Sequence, residues 1–513
     1  MIHHLSCVRL CATPRKGPPV TRSAPAAPGL TAFDRFRAGL GSGDVVGRLR
    51  DGVIGRDAVA GGPFGDRPLI YADYVASGRA LMQVERFVLE EFLPFYANSH
   101  TEASFVGGTM TRFRREARAV IRALCGGDED HAVIFAGSGA TAGLNRLVHL
   151  LGLDAAVRRG ERPVVLIGPY EHHSNILPWR ESGAEVIEMA EAAAGGPCMD
   201  DLRARLRAVA GRPVVGSFSA ASNVTGIVSD VAAVTWLLKA AGAKAVWDYA
   251  GGGPYLPIRM TPAPGAAIDA VVTSPHKFPG GPQASGVLIV RRDAVTAVTP
   301  TLPGGGTVRF VSPEGHDYAA SVEAREEAGT PNVMGDLRAA LAFIVKDAVG
   351  EGFIAARDAA LRDRAMAAFR AEPGIEVLGN TDCPRLPVFS LRFRAGKEGY
   401  VHQQLATRML SDLHGVQARG GCACAGPYVH RLLGIGAGES ARLRAAILGG
   451  AEVEKPGFVR LNFSYLLTDA EADRIIDSVV GLARTAGAHL AAYNCDPATA
   501  IFSPTGTAAR QTA

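Results

Sequence analysis

Short apolar segments alternate with helical segments through the middle of this 513-residue chain, and that alternation constrains its fold most. Helical patterns lie between the apolar segments, for example at 142–151 and 231–241. Such an order is typical of a parallel sheet whose strands are connected by helices. We therefore predict an α/β fold with one large, mostly parallel sheet of seven strands, at residues 132–135, 164–167, 186–189, 214–217, 245–247, 270–273 and 286–290.

The pattern changes after Asn332 and predicts a second, smaller domain. A long helical segment at 334–369 precedes several short strands and helices, which indicates an α+β domain over residues 333–493. The large domain is predicted to cover residues 63–332. We expect residues 1–62 to be a partly disordered extension and residues 494–513, rich in Thr, Ala and Pro, to be a disordered tail.

Composition excludes several classes of function. The net charge of +4 comes with no basic run, so nucleic acid is not an expected partner. No apolar stretch approaches the roughly 20 residues of a membrane-spanning helix, so no membrane partner is expected either. Eight scattered cysteines show no disulfide pattern, which favours a reducing, cytoplasmic location. The first 33 residues contain four basic residues and no acid, so an organellar transit peptide is the alternative.

Lys277 lies in the segment Thr-Ser-Pro-His-Lys-Phe at 273–278, just after the apolar run of one predicted strand. A lysine at the end of a buried strand is partly removed from water, which lowers the pKa of its amine. The neutral amine is a nucleophile that can form a Schiff base with an aldehyde. The alternative is a lysine whose charged group simply reaches solvent, and Lys277 alone does not decide between the two.

Two other strand ends carry groups that suit a phosphorylated ring. Small residues at 137–141 follow the first strand and open a helix, where free N–H groups and the helix dipole favour a phosphate; an ordinary turn is the alternative. Asp248 comes directly after the predicted strand at 245–247. Its carboxylate could keep a pyridine nitrogen protonated, or it could cap the segment that follows.

Histidine and asparagine side chains follow two more strands. His172 and His173 come after the strand at 164–167, where an imidazole could bind a metal, transfer protons or stack on a planar cofactor. No third ligand stands at a suitable spacing, so we predict no metal. Asn223 could hydrogen-bond a phenolic oxygen, or it could close an Asx turn before Gly226.

Together these groups, in this order along the chain, describe a site for pyridoxal 5'-phosphate. The order and the motifs resemble the class V aminotransferase and cysteine desulfurase family of fold-type I enzymes, over about residues 69–483. The resemblance is closest to the sulfur-mobilising desulfurase and selenocysteine lyase branch. It is carried by Glu-His-His-Ser-Asn-Ile-Leu-Pro-Trp at 171–179, Ser-Asn-x-x-Gly at 222–226, Ser-x-His-Lys at 274–277 and Ala-Gly-Thr-Pro-Asn at 328–332.

The resemblance implies roles for the residues that would hold the cofactor. Lys277 would bind it covalently and move a proton. His172 would stack on the ring, Asp248 would pair with the ring nitrogen, and Asn223 would contact the ring oxygen. The phosphate would be held by the remaining matching residues of the same chain, Ala140, Thr141, Ser274 and His276.

The resemblance also implies a partner and a substrate. Gly304 and Thr330 would reach the phosphate in a neighbouring subunit, which implies a homodimer with shared active sites. Arg460 would bind the carboxylate of an amino acid substrate, a bidentate task suited to guanidinium, and a surface ion pair is the alternative. Arg419 and His100 are expected on the substrate side of the site, with His100 at its entrance.

Cys424 takes the place of the family's catalytic cysteine, five residues after Arg419. Flanking glycines are typical of a mobile loop, and Arg419 could favour the thiolate. Attack of that thiolate on the sulfur of the bound substrate would leave a persulfide on Cys424 and release alanine. The alternatives are a buried structural cysteine or half of a Cys-x-Cys redox or metal pair; Cys422 is the nucleophile if the loop register differs by two.

One position departs from the family pattern. Desulfurases of this family usually carry Asp-x-x-Gln, but here Gly251 stands where the glutamine would help to hold the ring oxygen. We therefore predict a pyridoxal phosphate-dependent, cysteine desulfurase-like enzyme, with a sulfur-acceptor protein as a further partner. A class V aminotransferase, epimerase or β-lyase acting on another amino acid is the first alternative. The second is a non-enzymatic sulfur-relay protein, against which Lys277, Asp248 and His172 argue.

Overall fold

The computed structural model describes residues 29–99, 101–396 and 399–505. The α-helices are α1 (Ala32–Leu40), α2 (Val45–Asp51), α3 (Met82–Phe87), α4 (Phe105–Leu124), α5 (Gly139–Leu150), α6 (Leu153–Arg158), α7 (Leu177–Glu181), α8 (Met199–Ala208), α9 (Val231–Ala240), α10 (Val322–Glu326), α11 (Val333–Val349), α12 (Glu351–Ala371), α13 (Gln403–His414), α14 (Gly426–Leu432), α15 (Ala437–Leu448) and α16 (Asp469–His489).

The β-strands are β1 (Val59–Ala60), β2 (Arg67–Pro68), β3 (Ile70–Tyr71), β4 (His131–Gly137), β5 (Val164–Ile167), β6 (Glu185–Glu188), β7 (Val214–Ser219), β8 (Lys244–Asp248), β9 (Ala270–Thr273), β10 (Gly286–Arg291), β11 (Val308–Val311), β12 (His316–Tyr318), β13 (Ile375–Val377), β14 (Val388–Ala395), β15 (Gly399–Tyr400), β16 (Val416–Gln417), β17 (Arg419–Gly421), β18 (Phe458–Asn462), β19 (Tyr493–Asp496) and β20 (Ile501–Pro504).

The seven predicted strands form one sheet, β4 to β10, in the order β4-β10-β9-β8-β7-β5-β6. Strands β5 to β9 pair in parallel, and β10 runs antiparallel to both of its neighbours. The predicted α/β fold with a large, mostly parallel sheet is thereby confirmed. Because parallel strands end at the same edge of a sheet, the loops after β5, β7, β8 and β9 converge there.

Apolar side chains cover both faces of the large sheet. Along β4, Val133 and Phe135 belong to one buried cluster, and Ala132 and Ile134 belong to the other. The first face packs against α1, α4 and α11, and the second face packs against α5. Burial on both faces is typical of parallel sheets, and it explains why the sequence shows continuous apolar runs rather than alternation.

A second, antiparallel sheet has the order β13-β14-β18-β17, with β15 on the edge of β14. Its core includes residues of α12, α13 and α16. Strand β3 pairs in parallel with β16, which brings Ile70 into this smaller core although it lies early in the chain. The residues that build the two cores therefore do not follow the expected domain boundaries at residues 62 and 332.

The long helix predicted for 334–369 is two helices, α11 and α12. Gly350 separates them with a φ of 88°, a left-handed conformation that glycine adopts readily. Helix α11 packs in the same core as the large sheet, through Leu337 and Phe343 among others. The change in packing thus comes within α12, between Ile354 and Leu361, rather than at residue 333.

The expectation that the folded body begins near Pro63 is wrong. Helix α1 starts at a capping box formed by Thr31 and Asp34, and it buries Phe33 and Phe36 against the large core. The prediction of an unstructured tail after Tyr493 is also wrong up to residue 505, because β19 and β20 pair as an antiparallel hairpin. Residues 1–28 and 506–513 lie outside the described part of the chain. Within the described ranges, no helix combines the length and the apolar character needed to cross a membrane.

Candidate active site

A cleft of about 230 Å³ opens at the carboxyl edge of the large sheet, facing the small sheet. The cleft brings together most of the site residues predicted from the sequence, namely Ala140, Thr141, His172, Asn223, Asp248, Ser274, His276, Lys277, Arg419, Cys424 and Arg460.

Lys277 ends a single 3-10 turn, Pro275–Lys277, that directly follows β9. The turn is held by Gly78, whose N–H donates to the His276 carbonyl oxygen at 2.8 Å. A Cβ on Gly78 would lie 1.9 Å from the Phe278 carbonyl oxygen, so only glycine permits this close approach. Burial lowers the pKa of Lys277 to about 8, against the opposing effect of the Asp248 carboxylate. No described residue hydrogen-bonds the Lys277 amine, which leaves it available for an aldehyde.

Asp248 is the last residue of β8 and is only 4% exposed. Burial raises the pKa of its carboxyl group, while a hydrogen bond from the Ala250 N–H and the charge of Lys277 lower it. That N–H donates to Asp248 Oδ1 at 2.7 Å, so the capping role considered from the sequence is present. Because Asp248 also lines the cleft, capping and contact with a bound ring are compatible.

His172 begins the turn after β5. Its Nδ1 accepts a hydrogen bond from the Ser174 N–H at 3.1 Å, which fixes the ring orientation. Burial, followed by the charge of Lys277, lowers the pKa of His172 to about 3. The imidazole is therefore neutral near pH 7 and presents a planar, uncharged face to the cleft.

The Glu171 side chain holds the turn that begins at His172, a role that no sequence motif assigned to it. Its buried carboxylate accepts hydrogen bonds from the Ser219 N–H at 2.8 Å, the Ser219 hydroxyl at 2.6 Å and the Asn175 amide at 2.5 Å. Burial raises the pKa of Glu171 to about 7, although these hydrogen bonds oppose the shift. The network ties β5 to β7, so that His172 is held by two strands of the sheet.

The N-terminus of α5 forms the far end of the cleft. The Ala140 N–H donates to the Ser274 hydroxyl oxygen at 2.9 Å, and the Thr141 and Ser174 hydroxyls lie 2.7 Å apart. Gly139 has a φ of 62°, and a Cβ there would lie 2.9 Å from Ser274 Oγ. This crowding of small and hydroxylated residues around a helix N-terminus suits an anion such as phosphate.

The two arginines share one carboxylate that the sequence did not indicate. Arg460 Nη2 donates to Asp73 Oδ1 at 2.7 Å, and Arg419 Nε donates to Asp73 Oδ2 at 2.9 Å. Arg460 is buried, so the surface ion pair considered for it is wrong. Asp73 is 346 and 387 residues from its partners, and no local sequence pattern connects them.

The structure places Cys424, rather than Cys422, on the cleft. Cys424 is exposed, which rules out the buried structural cysteine, whereas Cys422 is half-buried against the apolar cluster around Tyr170 and Tyr428. Ala423 and Cys424 have φ values of 50° and 53°, a left-handed conformation uncommon for residues with a side chain. Such backbone strain often marks functional loops.

Asn223 contacts the cysteine loop. Its Nδ2 donates to the Ala423 carbonyl oxygen at 2.8 Å. The turn before Gly226 is instead closed by Ser222, whose hydroxyl oxygen accepts from the Val224 and Thr225 N–H groups. The Asx turn considered for Asn223 is therefore not formed. Gly251 also lines the cleft, and a Cβ there would have no neighbour closer than 3.5 Å.

Two predicted site residues among the described ones are not in the cleft. Gly304 and Thr330 lie on exposed loops that meet where the Gly329 N–H donates to the Gly305 carbonyl oxygen at 2.8 Å. His100 lies outside the described residues. Within the described ranges, no group of three or more His, Cys, Asp or Glu side chains is arranged to hold a metal ion.

The residues present fit pyridoxal 5'-phosphate. The amine of Lys277 suits the aldehyde, the carboxylate of Asp248 suits the pyridine nitrogen, and the N-terminus of α5 suits the phosphate. His172 adds a neutral planar ring beside them. These complementary groups line one cleft, and their nature matches the parts of a single cofactor.

Comparisons with known proteins agree with this interpretation. The chain is 29% identical over 367 residues to a cysteine desulfurase of Enterobacter sp. (strain 638), covering 71% of this chain and 86% of that protein. It is 25% identical over 416 residues to a probable cysteine desulfurase of Streptomyces coelicolor, covering 80% and 91%.

Solved structures share the fold. A cysteine desulfurase from Thermococcus onnurineus NA1 has a TM-score of 0.66 at 22% identity, covering 81% of this chain and 95% of that one. The cysteine desulfurase CsdA from Escherichia coli has a TM-score of 0.65 at 22% identity, covering 86% and 98%. The sequence profile of the family described as Aminotransferase class-V matches residues 70–474. Because that match spans most of its length, the chain belongs to the class-V aminotransferase family of pyridoxal phosphate-dependent enzymes.

Proposed function

We propose that this protein is a cysteine desulfurase that converts L-cysteine to alanine and leaves the sulfur as a persulfide on Cys424. The observation that carries the proposal is the exposed thiol of Cys424 on the same cleft as Lys277, Asp248 and Arg460. The relatives that are named cysteine desulfurases support it.

Bound pyridoxal phosphate would supply an electron sink for the α-carbon of the substrate. Lys277 would hold the cofactor, and the Asp248 carboxylate would keep the ring nitrogen protonated. The N-terminus of α5, with Thr141, Ser274 and His276, would hold the phosphate. Burial lowers the pKa of His276 to about 4, so its imidazole would contact the phosphate as a neutral hydrogen-bond donor.

Lys277 would also move the α-proton of the substrate. A general base works best when its pKa lies near the working pH, and the pKa of Lys277 is lowered to about 8. His172 would cover the ring with its neutral imidazole. Its Nδ1 is engaged by Ser174, so only Nε2 remains to exchange a proton with the substrate.

Arg460 and Arg419 would bind the substrate carboxylate. Asp73 accepts a hydrogen bond from each guanidinium and so holds the two side chains in one orientation. Arg460 Nη1 also donates to the Asn223 carbonyl oxygen at 3.2 Å, so this side chain is held from two sides where it lines the cleft. Arg419, about half exposed, would be the second ligand for the substrate carboxylate.

Cys424 would receive the sulfur. Its thiolate attacks the substrate sulfur, so an S–S bond forms while the bond from that sulfur to carbon breaks, and the freed carbon is protonated to give alanine. The persulfide would then pass its outer sulfur to the thiol of an acceptor protein. The exposure of Cys424 provides the access that such an acceptor needs.

We further propose a homodimer, in a reducing compartment such as the cytoplasm. Large apolar side chains are exposed near the loops of Gly304 and Thr330, including Val298 at 80% and Phe310 at 58%. Phe105, at 76%, is the first residue of α4. Exposed apolar patches of this kind mark protein interfaces, and a second copy would bring Gly304 and Thr330 to the partner's phosphate site.

The test is product analysis with L-cysteine and a dithiol reductant. We expect alanine and sulfide in equal amounts. Mercaptopyruvate, formed once per cofactor because no amino acceptor is present, would indicate an aminotransferase. Pyruvate with ammonia would indicate a β-lyase, and D-cysteine an epimerase. Any of these in place of alanine would contradict the desulfurase, whereas the cofactor site would stand.

A further inference from the structure

The loop that carries Cys424 is fastened to His173, the second histidine after β5. The His173 N–H donates to the Cys424 carbonyl oxygen at 2.8 Å. The Gly426 N–H donates back to His173 Nε2 at 2.9 Å. One residue thus contacts the loop on both sides of Ala425, and Asn223 contacts it again at Ala423.

The backbone conformation of this loop depends on contacts from outside the loop. Ala423 and Cys424 both adopt the left-handed conformation, which a chain with side chains keeps only when its surroundings impose it. The hydrogen bond within the loop is a single one, from the Ala425 N–H to the Cys422 carbonyl oxygen at 3.1 Å. Gly420 and Gly421 pair with β18, and the segment leaves the sheet directly after them. Without its outside contacts, this segment has little to keep the Cys424 thiol in the cleft.

His173 does not line the cleft; it lies on a neighbouring groove with Thr141 and Leu177. Its Nε2 accepts a hydrogen bond, which assigns the ring proton to Nδ1. The side chain therefore acts on the site through the loop backbone, and not by touching the cofactor or the substrate.

We propose that His173 is a positioning residue that holds Cys424 in the cleft for sulfur transfer. The inference deepens the proposed desulfurase function and rests on it. It also distinguishes the two adjacent histidines, because His172 faces the cofactor while His173 holds the nucleophile loop.

The test compares two substitutions with a matched control in the cofactor-loaded enzyme. His173→Phe keeps a planar ring but removes the acceptor for the Gly426 N–H. His173→Gln keeps a side-chain acceptor. His402→Phe is the control, because His402 is also half-buried and its ring also accepts a hydrogen bond from a backbone N–H, that of Gln404 at 3.2 Å, but it lies outside the cleft.

The first readout is the rate at which iodoacetamide alkylates Cys424 without substrate, followed by peptide mass spectrometry with exposed Cys495 as the internal reference. We expect His173→Phe to alkylate about fivefold faster, the ratio that corresponds to one hydrogen bond. His173→Gln and His402→Phe stay within about twofold of wild type.

The second readout is turnover of L-cysteine. His173→Phe is expected to lower kcat about fivefold with KM unchanged, because the arginines that bind the substrate are untouched. Unchanged alkylation and kcat in His173→Phe, or equal changes in the Phe and Gln variants, would overturn the inference. Wild-type enzyme that makes no alanine would overturn the proposed function instead, while the alkylation comparison still decides the role of His173. If His173→Phe fails to fold, His173→Leu replaces it in both measurements.

Discussion

The large-sheet side of the cleft carries its reactive groups at or after strand ends, whereas the small-sheet side carries its cysteine on a loop, beside the strand residues Arg419 and Arg460. Lys277 and Asp248 each directly follow or end a buried strand, and their conformations are fixed by the sheet. Cys424 lies between β17 and α14, in a left-handed backbone conformation that depends on contacts from the other side. The cofactor side is therefore rigid by construction, and the nucleophile side is held in place by a few hydrogen bonds.

The groups that suit the cofactor and the group proposed to determine the reaction therefore lie on different sides of the cleft. Strand ends that carry a lysine, an acid and a phosphate-binding helix can serve many reactions of one cofactor. In the proposed mechanism, the loop with Cys424 adds the sulfur acceptor. Changes on the two sides should consequently have separable effects, which the following experiments exploit.

The largest effect is expected from Lys277→Ala on the rigid side. It should remove both the visible absorbance of bound cofactor and turnover, the latter by about 10⁴-fold or more, because the covalent link and the base are lost together. Absorbance spectra and alanine release measure the two losses. Retained turnover would show that the cleft is not the catalytic centre.

Cys424→Ala should break the loop side alone. Sulfide release is expected to fall at least about 10³-fold, as for other lost nucleophiles, while the cofactor absorbance stays at the wild-type level. Cys422→Ala is the matched control, since Cys422 packs on an apolar cluster away from the cleft. An equal loss of sulfide release in Cys424→Ala and Cys422→Ala would contradict a specific role of Cys424 as sulfur acceptor.

Cofactor loading should depend on pH through Lys277. The pKa of Lys277 lies at about 8, below its ordinary 10.5, and only the neutral amine attacks an aldehyde. The loading rate of cofactor-free protein should rise about tenfold per pH unit below pH 8 and level off above it. Asp248→Asn removes the charge that raises this pKa, so its midpoint should move to lower pH. A plateau only near pH 10 would contradict the burial of the amine.

The smallest effect is expected at Gly251. Gly251 lines the cleft, and a Cβ there would meet its neighbours only at ordinary contact distances of 3.5 Å or more. Gly251→Gln should tighten cofactor retention by up to about fivefold through one added hydrogen bond, and Gly251→Ala should leave it unchanged. Cofactor retention is measured by absorbance after dialysis. Loss of cofactor from both variants would mean that the cleft cannot accept a side chain at residue 251.

The rigid side of the site could be predicted well from the sequence, for a physical reason. Each large-sheet strand is a short apolar run, and the polar residue just after it must face the common edge of a parallel sheet. The strand-end positions of His172, Asp248 and Lys277 were therefore enough to place these three side chains together. The expectation that Cys424 lies in the same cleft came from the family resemblance, because Cys424 does not follow a strand of the large sheet.

Contacts between distant segments were not predictable in this way. Asp73 pairs with Arg419 and Arg460 across more than 340 residues, and nothing in its surrounding sequence indicates this. The buried helix α1 was missed because a basic, Pro-rich segment precedes it, although Thr31 and Asp34 form a capping box there. The end of α11 at Gly350 was missed because the apolar helical pattern continues past the glycine.

The most direct test of the central claim is to find the sulfur after a single turnover. Cofactor-loaded enzyme is mixed with one equivalent of L-cysteine, blocked with an alkylating agent and digested, and the Cys422 and Cys424 sites are separated by fragment-ion mass spectrometry. We predict one added sulfur on Cys424, with one alanine released per sulfur. Sulfur on Cys422, or alanine-free turnover with both cysteines unmodified, would contradict the account.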